Sequence, residues 1–235
     1  MRKLIALECR RTSLRPYGIG AGICGFVLLG MVYLLAVVPY FDPVEVGEEL
    51  FTTCFGLAVM NSTLAMAFFS ILLAVMGAKV IIEEFTGKKA YLLLSYPVSR
   101  GRILRAKLIL TVGYASGAMI VLGGGVMLLF FLTEQLFPLC TDQLNLSTVL
   151  KSLGVLLFSA VMAAEIGVSA VWIGYMKRSV VAAVTASVIL ASLGCQLLQF
   201  SYLSAAAAGA GVLVLLVPAV LAVRNLYEKI LNLEV

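Results

Sequence analysis

SVVAAVTASVILASLGCQLLQFSYLSAAAAGAGVLVLLVPAVLAV, residues 179–223, runs 45 positions without a charged side chain. As one helix, at about 1.5 Å per residue, it would reach roughly 67 Å, over twice the ~30 Å hydrocarbon thickness of a bilayer. The stretch must therefore fold back on itself. The turn falls in QLLQFSYLS, Gln196 to Ser204, where amides, hydroxyls and an interface-seeking tyrosine separate two apolar halves.

The rest of the chain follows the same rule of length. Uncharged runs lie between Arg15 and Asp42, Glu49 and Lys79, Lys107 and Glu134, and Lys151 and Lys177, the last interrupted only by Glu165. Each is long enough for one crossing. Six spans result, at about 19–38, 53–82, 106–132, 152–176, 179–197 and 204–223, in a single transmembrane domain over residues 1–235. The composition agrees, with 62% hydrophobic and only 12% charged residues, far from the balance of soluble domains. The fold class is an all-α polytopic membrane protein.

Lysine and arginine concentrate in short loops on the cytoplasmic side of membrane proteins. Sixteen of the 17 fall before the first span, in the second and fourth loops, or after the last span, and Lys151 alone lies opposite. Asp42, Glu45, Glu48, Glu49, Glu134 and Asp142 all fall on the base-poor side. Both termini are expected in the cytoplasm, in a bacterial cytoplasmic membrane. The net charge of +5 is then a topology signal and needs no nucleic acid partner. The opening MRKLIALECRRTSLRPYG places charge before an apolar run without a clear small-residue cleavage site. Residues 1–16 are read as a retained helix along the interface, set off from the first span by Pro16.

Catalytic chemistry has little support. Histidine is absent, which removes the commonest general base and zinc ligand. No GxSxG elbow, HExxH pair or GxxxxGK[ST] phosphate loop occurs. Glu83-Glu84 is similar to the acidic motif of CAAX-type intramembrane proteases, but Gly87 stands where that family has arginine, and its histidines are missing. The five cysteines, Cys9, Cys24, Cys54, Cys140 and Cys195, include no CxxC pair and fall mostly in apolar runs, where a thiol acts as a small hydrophobe. No cofactor or metal site is expected in the chain.

Two features within the spans carry a functional expectation. Glu165 stands alone in FSAVMAAEIGVSAVW, where an unpaired charge costs a few kcal/mol on insertion scales. Its candidate partners are Asn61, Ser159, Ser169 and Lys151, either as an interhelical hydrogen bond or as part of a substrate or ion pathway. Small residues recur in GIGAGICG, GYASG, LGGGV and SAAAAGAG, where they let helices approach within one bundle or against a second copy.

The longest cytoplasmic loop belongs to KVIIEEFTGKKAYLLLSYPVSRGRILRAK, residues 79–107. Its seven bases fit topology, but the acids Glu83 and Glu84 and the apolar YLLLSY patch do not. Gly87 is a natural helix stop, and Ser99 a natural N-cap for the helix entering the third span. A protein partner at residues 83–104 explains both the acids and the length of the loop, since short connections are the norm.

These residues, the basic N-terminal segment and the six spans together resemble the ATP-binding-cassette type 2 permeases, the transmembrane subunits of many bacterial exporters. The resemblance implies a coupling helix between the second and third spans that docks into a separate ATPase, which alone binds ATP and Mg²⁺. Glu83 and Glu84 would then mark the end of the second span. Tyr91, Leu92, Leu93, Leu94 and Tyr96 would lie at or near the docking surface, with Pro97, Ser99 and Arg100 matching the Pro-x-Ser-Arg run before the third span. It further implies a nonhydrolytic subunit, paired with an identical or related permease chain; the apolar, charge-poor wall of a pathway between the two suits an amphipathic peptide, antibiotic or lipid-like cargo. The tight turn between the last two spans departs from the longer outer segments of many relatives. The competing readings are an ion-coupled secondary transporter, which fits Glu165 alone, and a nontransporting membrane protein that recruits a soluble regulator through its basic loop.

Overall fold

A computed structural model describes residues 2–41, 49–86, 100–142, 144–202 and 204–231, and among them helices are the only regular structure. In chain order these are α1 (Arg2–Arg11), α2 (Arg15–Phe41), α3 (Glu49–Thr52), α4 (Cys54–Gly77), a π turn (Ala78–Ile82), α5 (Glu83–Thr86), α6 (Arg100–Leu136), α7 (Leu146–Met176), α8 (Val180–Gln199), a 3-10 turn (Phe200–Tyr202) and α9 (Ala205–Leu231). Six segments are long and apolar enough to cross a membrane: Arg15–Pro39, Cys54–Phe85, Gly101–Leu136, Leu146–Met176, Val180–Gln199 and Gly209–Ile230. Outward-facing Ile19, Phe26, Val121, Leu128, Val181 and Leu213 are each more than half exposed, as lipid-facing side chains are. The chain is a multi-pass membrane protein.

The uncharged run folds back where its amides and hydroxyls cluster. Helix α8 ends at Gln199 and the 3-10 turn carries the chain to Tyr202 before α9. At the N-terminus, α1 stops at Arg11, and Pro16 occupies the first turn of α2, where its missing N–H costs no hydrogen bond.

Helices α4 and α7 form the centre. Of their apolar windows 67% is buried, against 28% for α2 and α8 and 22% for α9. Lipid tails are as apolar as leucine, so helices associate in a bilayer through close packing of small residues. A Cβ on Gly77 would strike Val171, and one on Gly167 would sit 2.9 Å from Leu73 Cβ, both across the α4–α7 seam. Gly174 and Gly194 do the same for α8, with the Gly174 position 3.0 Å from Ala183 Cα. The glycines that close the bundle thus lie mostly outside the small-residue clusters conspicuous in the sequence. Gly22, Gly113, Gly117, Gly125 and Gly209 have nothing within 4 Å of a Cβ position.

Two connections set the geometry. Arg178 adopts a left-handed φ of 50° between α7 and α8, with Ser179 N–H donating to Gly174 O at 3.1 Å, a closure that satisfies the last carbonyls of a helix in a tight turn. Between α4 and α5 the backbone widens into the π turn without interrupting the rod from Cys54 to Thr86. At about 1.5 Å per residue that 32-residue span (Cys54–Phe85) and the 37-residue α6 reach roughly 48 and 55 Å. Both exceed the ~30 Å hydrocarbon layer, so both project beyond it, with α5 and the start of α6 at the same end.

Candidate functional site

That base-rich end is built around one lysine. Lys107, about two turns into α6, is fully buried, although the sequence presents it as a loop-flanking base. Its Nζ lies 2.8 Å from Glu84 Oε2 on α5 and 3.3 Å from Glu8 Oε2 on α1. Arg11 adds longer contacts, 3.8 Å to Glu84 and 4.0 Å to Glu8. Two acids and two bases from three elements therefore balance. A buried charge is tolerated only when paired in this way, because the desolvation cost is several kcal/mol per ion.

Glu83 and Glu84 separate here. Consecutive helical residues point about 100° apart, so only one can face inward. Glu84 turns into the ion cluster and Glu83 is exposed. The π turn just upstream accommodates one residue more than α-helical winding and so resets which face of α5 meets α6. Phe85 is buried with Ile82, Ile103 and Leu104, closing the apolar layer beneath the charges.

Helix α9 clamps the start of α6 from the other side. A Cβ on Gly101 would lie 2.6 Å from the Tyr227 ring, so with any other residue there the ring would have to shift. Arg105 Nη2 donates to Tyr227 Oη at 3.0 Å, and its guanidinium lies 4.9 Å from the ring centroid. Leu226 and Ile230 of α9 are fully buried in the same apolar layer as Phe85 and Ile103.

Of the docking residues expected from sequence, Arg100 is the first residue of α6. Tyr91, Leu92, Leu93, Leu94, Tyr96, Pro97 and Ser99, with Gly87, lie outside the described residues. The described flanks show that both ends of this segment leave from anchored helices.

Glu165 and Asn61 are not brought together. Asn61 Nδ2 donates to Gly123 O of α6 at 3.2 Å, and its Oδ1 has no hydrogen-bond partner. Ser169 bonds the backbone carbonyl of Glu165 at 2.8 Å rather than its carboxylate, whose Oε2 is buried without a partner. Glu165 instead lines a cavity of about 580 Å³ between α6, α7 and α9, with Leu104, Leu108, Val168, Leu216 and Val220 as apolar walls and Arg105, Arg224 and Tyr227 also lining it. An apolar cleft with a few converging polar groups is the usual form of a small-molecule site.

Sequence reasoning missed the Glu8–Lys107–Glu84 cluster and the cavity. The one available signal for the cluster was Lys107 itself, which enters an apolar helix seven residues after Arg100 and cannot face lipid there without a partner.

A family model described as "ABC-2 family transporter protein" matches residues 10–194. An uncharacterized protein of Bacillus subtilis (strain 168), YcbO, is 23% identical over 190 residues, covering 81% of this chain and 82% of that protein. No solved structure matches.

Proposed function

Since this chain belongs to the ABC-2 family of transporter proteins, and is thereby the membrane permease subunit of an ATP-binding-cassette transporter, we propose that it exports an amphipathic peptide, antibiotic or lipid-like cargo. In this reading two permease chains form the pathway, and a separate cytoplasmic ATPase docks on residues 83–104. Glu83, Tyr91 to Tyr96, Pro97, Ser99 and Arg100 would face the ATPase. Glu84 would have a different role, holding the docking segment to the bundle.

The observation that carries the reading is the Lys107 cluster. ATP can shift a transporter only through contacts that differ between its two states, and a docking segment transmits motion only if its ends are rigidly joined to the spans. The Lys107–Glu84 pair locks α5 to α6 at 2.8 Å, and Tyr227 over Gly101 locks α6 to α9. Movement of the segment between them would swing the second, third and sixth spans together. The same swing would reshape the Glu165 cavity, whose walls are α6, α7 and α9.

The test is whether a neighbouring reading frame encodes a phosphate-loop ATPase, followed by coexpression, copurification and cargo-dependent ATP hydrolysis with that protein; failure to find any such ATPase partner would overturn the reading. Leu93→Asp combined with Arg100→Glu is expected to abolish copurification. Lys107→Met is expected to preserve copurification and lose the stimulation of hydrolysis by cargo. Copurification that survives the first variant would overturn the docking assignment, and unchanged stimulation in the second would overturn the role of the cluster.

A further inference from the structure

At the opposite, base-poor end, three residues far apart in sequence converge. Cys54 opens α4, Glu134 lies near the end of α6, and Cys140 sits in the connection to α7. Their two Sγ atoms and a carboxylate oxygen of Glu134 all lie within 4.8 Å of one another. We propose that Cys54, Cys140 and Glu134 form a binding site for a borderline-soft divalent cation of the Zn²⁺ class.

Three observations favour a cation over simple packing. Cys54 is fully buried and Glu134 only 6% exposed, so an acid and a thiol share a space that water scarcely reaches, with the half-buried Cys140 at its edge. The two carboxylate oxygens of Glu134 are treated differently: Oε1 accepts from Leu139 N at 2.9 Å and Cys140 N at 2.7 Å, whereas Oε2 is buried without a hydrogen-bond partner. Backbone donors that fix one carboxylate oxygen and leave the other available are the arrangement by which outer-shell groups orient a metal ligand. The connection is also held in register, since Thr141 donates to Thr52 O from its backbone N–H at 3.0 Å and from its hydroxyl at 3.1 Å.

The donor set selects the metal. Two thiolates and one carboxylate suit Zn²⁺, which takes sulfur and oxygen at four tetrahedral positions, and disfavour Mg²⁺ and Ca²⁺, which take oxygen alone. A cavity of about 220 Å³ lined by Pro39, Thr52, Leu139, Cys140 and Thr141 adjoins the Cys140 side. It gives a path for entry and room for water as the fourth ligand. Binding transfers the two thiol protons to water and oxidises nothing. The bound ion would tie the end of α6 and its loop to the start of α4, the counterpart of the Lys107 cluster at the other end of the same two spans.

The test uses the purified full-length chain in detergent with a phosphine reductant and no chelator. Loaded with Zn²⁺ and desalted, it should retain about one equivalent by mass spectrometry, and Co²⁺ in its place should give a thiolate charge-transfer band. Cys54→Ser and Cys140→Ser should each abolish the band, and Glu134→Gln should weaken Zn²⁺ affinity at least about tenfold. Mg²⁺ should neither bind at the site nor compete. Zn²⁺ content unchanged in the cysteine variants, or affinity unchanged in Glu134→Gln, would overturn the three-ligand site. Recovery from native membranes of a Cys54–Cys140 disulfide, with no Zn²⁺ bound after its reduction, would replace the site with a structural crosslink.

Discussion

Replacing Lys107 by methionine keeps the aliphatic volume and removes one charge. In the native chain Nζ faces two carboxylates whose side chains are only 12% and 15% exposed, at 3.3 and 2.8 Å. With an effective dielectric of about 20, those distances correspond to roughly 5 and 6 kcal/mol of attraction before the desolvation they offset. The net loss when one partner of a buried pair is removed is about 3–5 kcal/mol. Arg11 stays at 3.8 and 4.0 Å from the acids but is 54% exposed, so it compensates in part, and the lower end of that range, about 3 kcal/mol, is expected. For a chain of this size each kcal/mol lowers Tm by about 2–4 °C, giving a fall of roughly 6–12 °C.

Trp172 is the sole tryptophan and packs against the apolar layer beneath the cluster, so its fluorescence reports unfolding in detergent without a label. Adding Glu8→Gln and Glu84→Gln to Lys107→Met should recover more than half of the loss, because the one charge left in the cluster, Arg11, is half exposed and needs no partner. Arg11→Gln alone should cost under about 1 kcal/mol, as exposed pairs do. A Tm shift under about 2 °C in Lys107→Met, or no recovery in the triple variant, would refute the account of Lys107 as the neutralising centre.

Three further outcomes are expected. Gly174→Ala should destabilise by about 1–3 kcal/mol through overpacking, because Ala183 Cα is backbone and cannot swing aside, whereas Gly113→Ala, with open space around it, should be neutral or gain up to about 1 kcal/mol in thermal unfolding. Arg178→Gly should raise stability by about 1 kcal/mol by relieving the left-handed φ, read as a higher midpoint in the same assay. Glu165→Gln should abolish cargo movement in a vesicle assay while leaving expression and Tm intact, and unchanged transport would remove it from the pathway.

The parts of this fold legible in sequence are those set by one-dimensional length. A 45-residue uncharged run must turn, and it turns within its polar patch. What distances along the chain do not encode is which side of a helix faces which neighbour. Glu83 and Glu84 look equivalent as letters, yet a π turn that leaves no mark in the sequence decides that one faces Lys107 and the other solvent. Cys54 and Cys140 likewise looked like isolated small hydrophobes because their meeting depends on two full crossings and a loop tied back to Thr52. The glycine patterns were legible only in part: Gly25, Gly123 and Gly124 of the conspicuous clusters do pack against neighbouring helices, but Gly113 and Gly117 of GYASG have nothing within 4 Å of a Cβ position, while the solitary Gly77 and Gly167 close the central seam.

The presence of a buried ion cluster, rather than an apolar contact, bears on mechanism. Well-packed hydrophobic side chains of similar volume often match or exceed such a cluster in stability, so stability alone does not account for Glu8, Lys107 and Glu84. An apolar seam between α5 and α6 would be stabilised nearly as well after a small slide, since burial is nondirectional. A lysine held between two carboxylates permits one register, because sliding would strand a charge in a space that excludes water. A joint of this kind suits the proposed docking segment, which would have to carry a push from outside the membrane without deforming. Substituting the three residues together with Met, Leu and Leu should therefore preserve Tm while uncoupling ATP hydrolysis from cargo movement, and retention of full coupling would show that register at this joint is not what transmits the stroke.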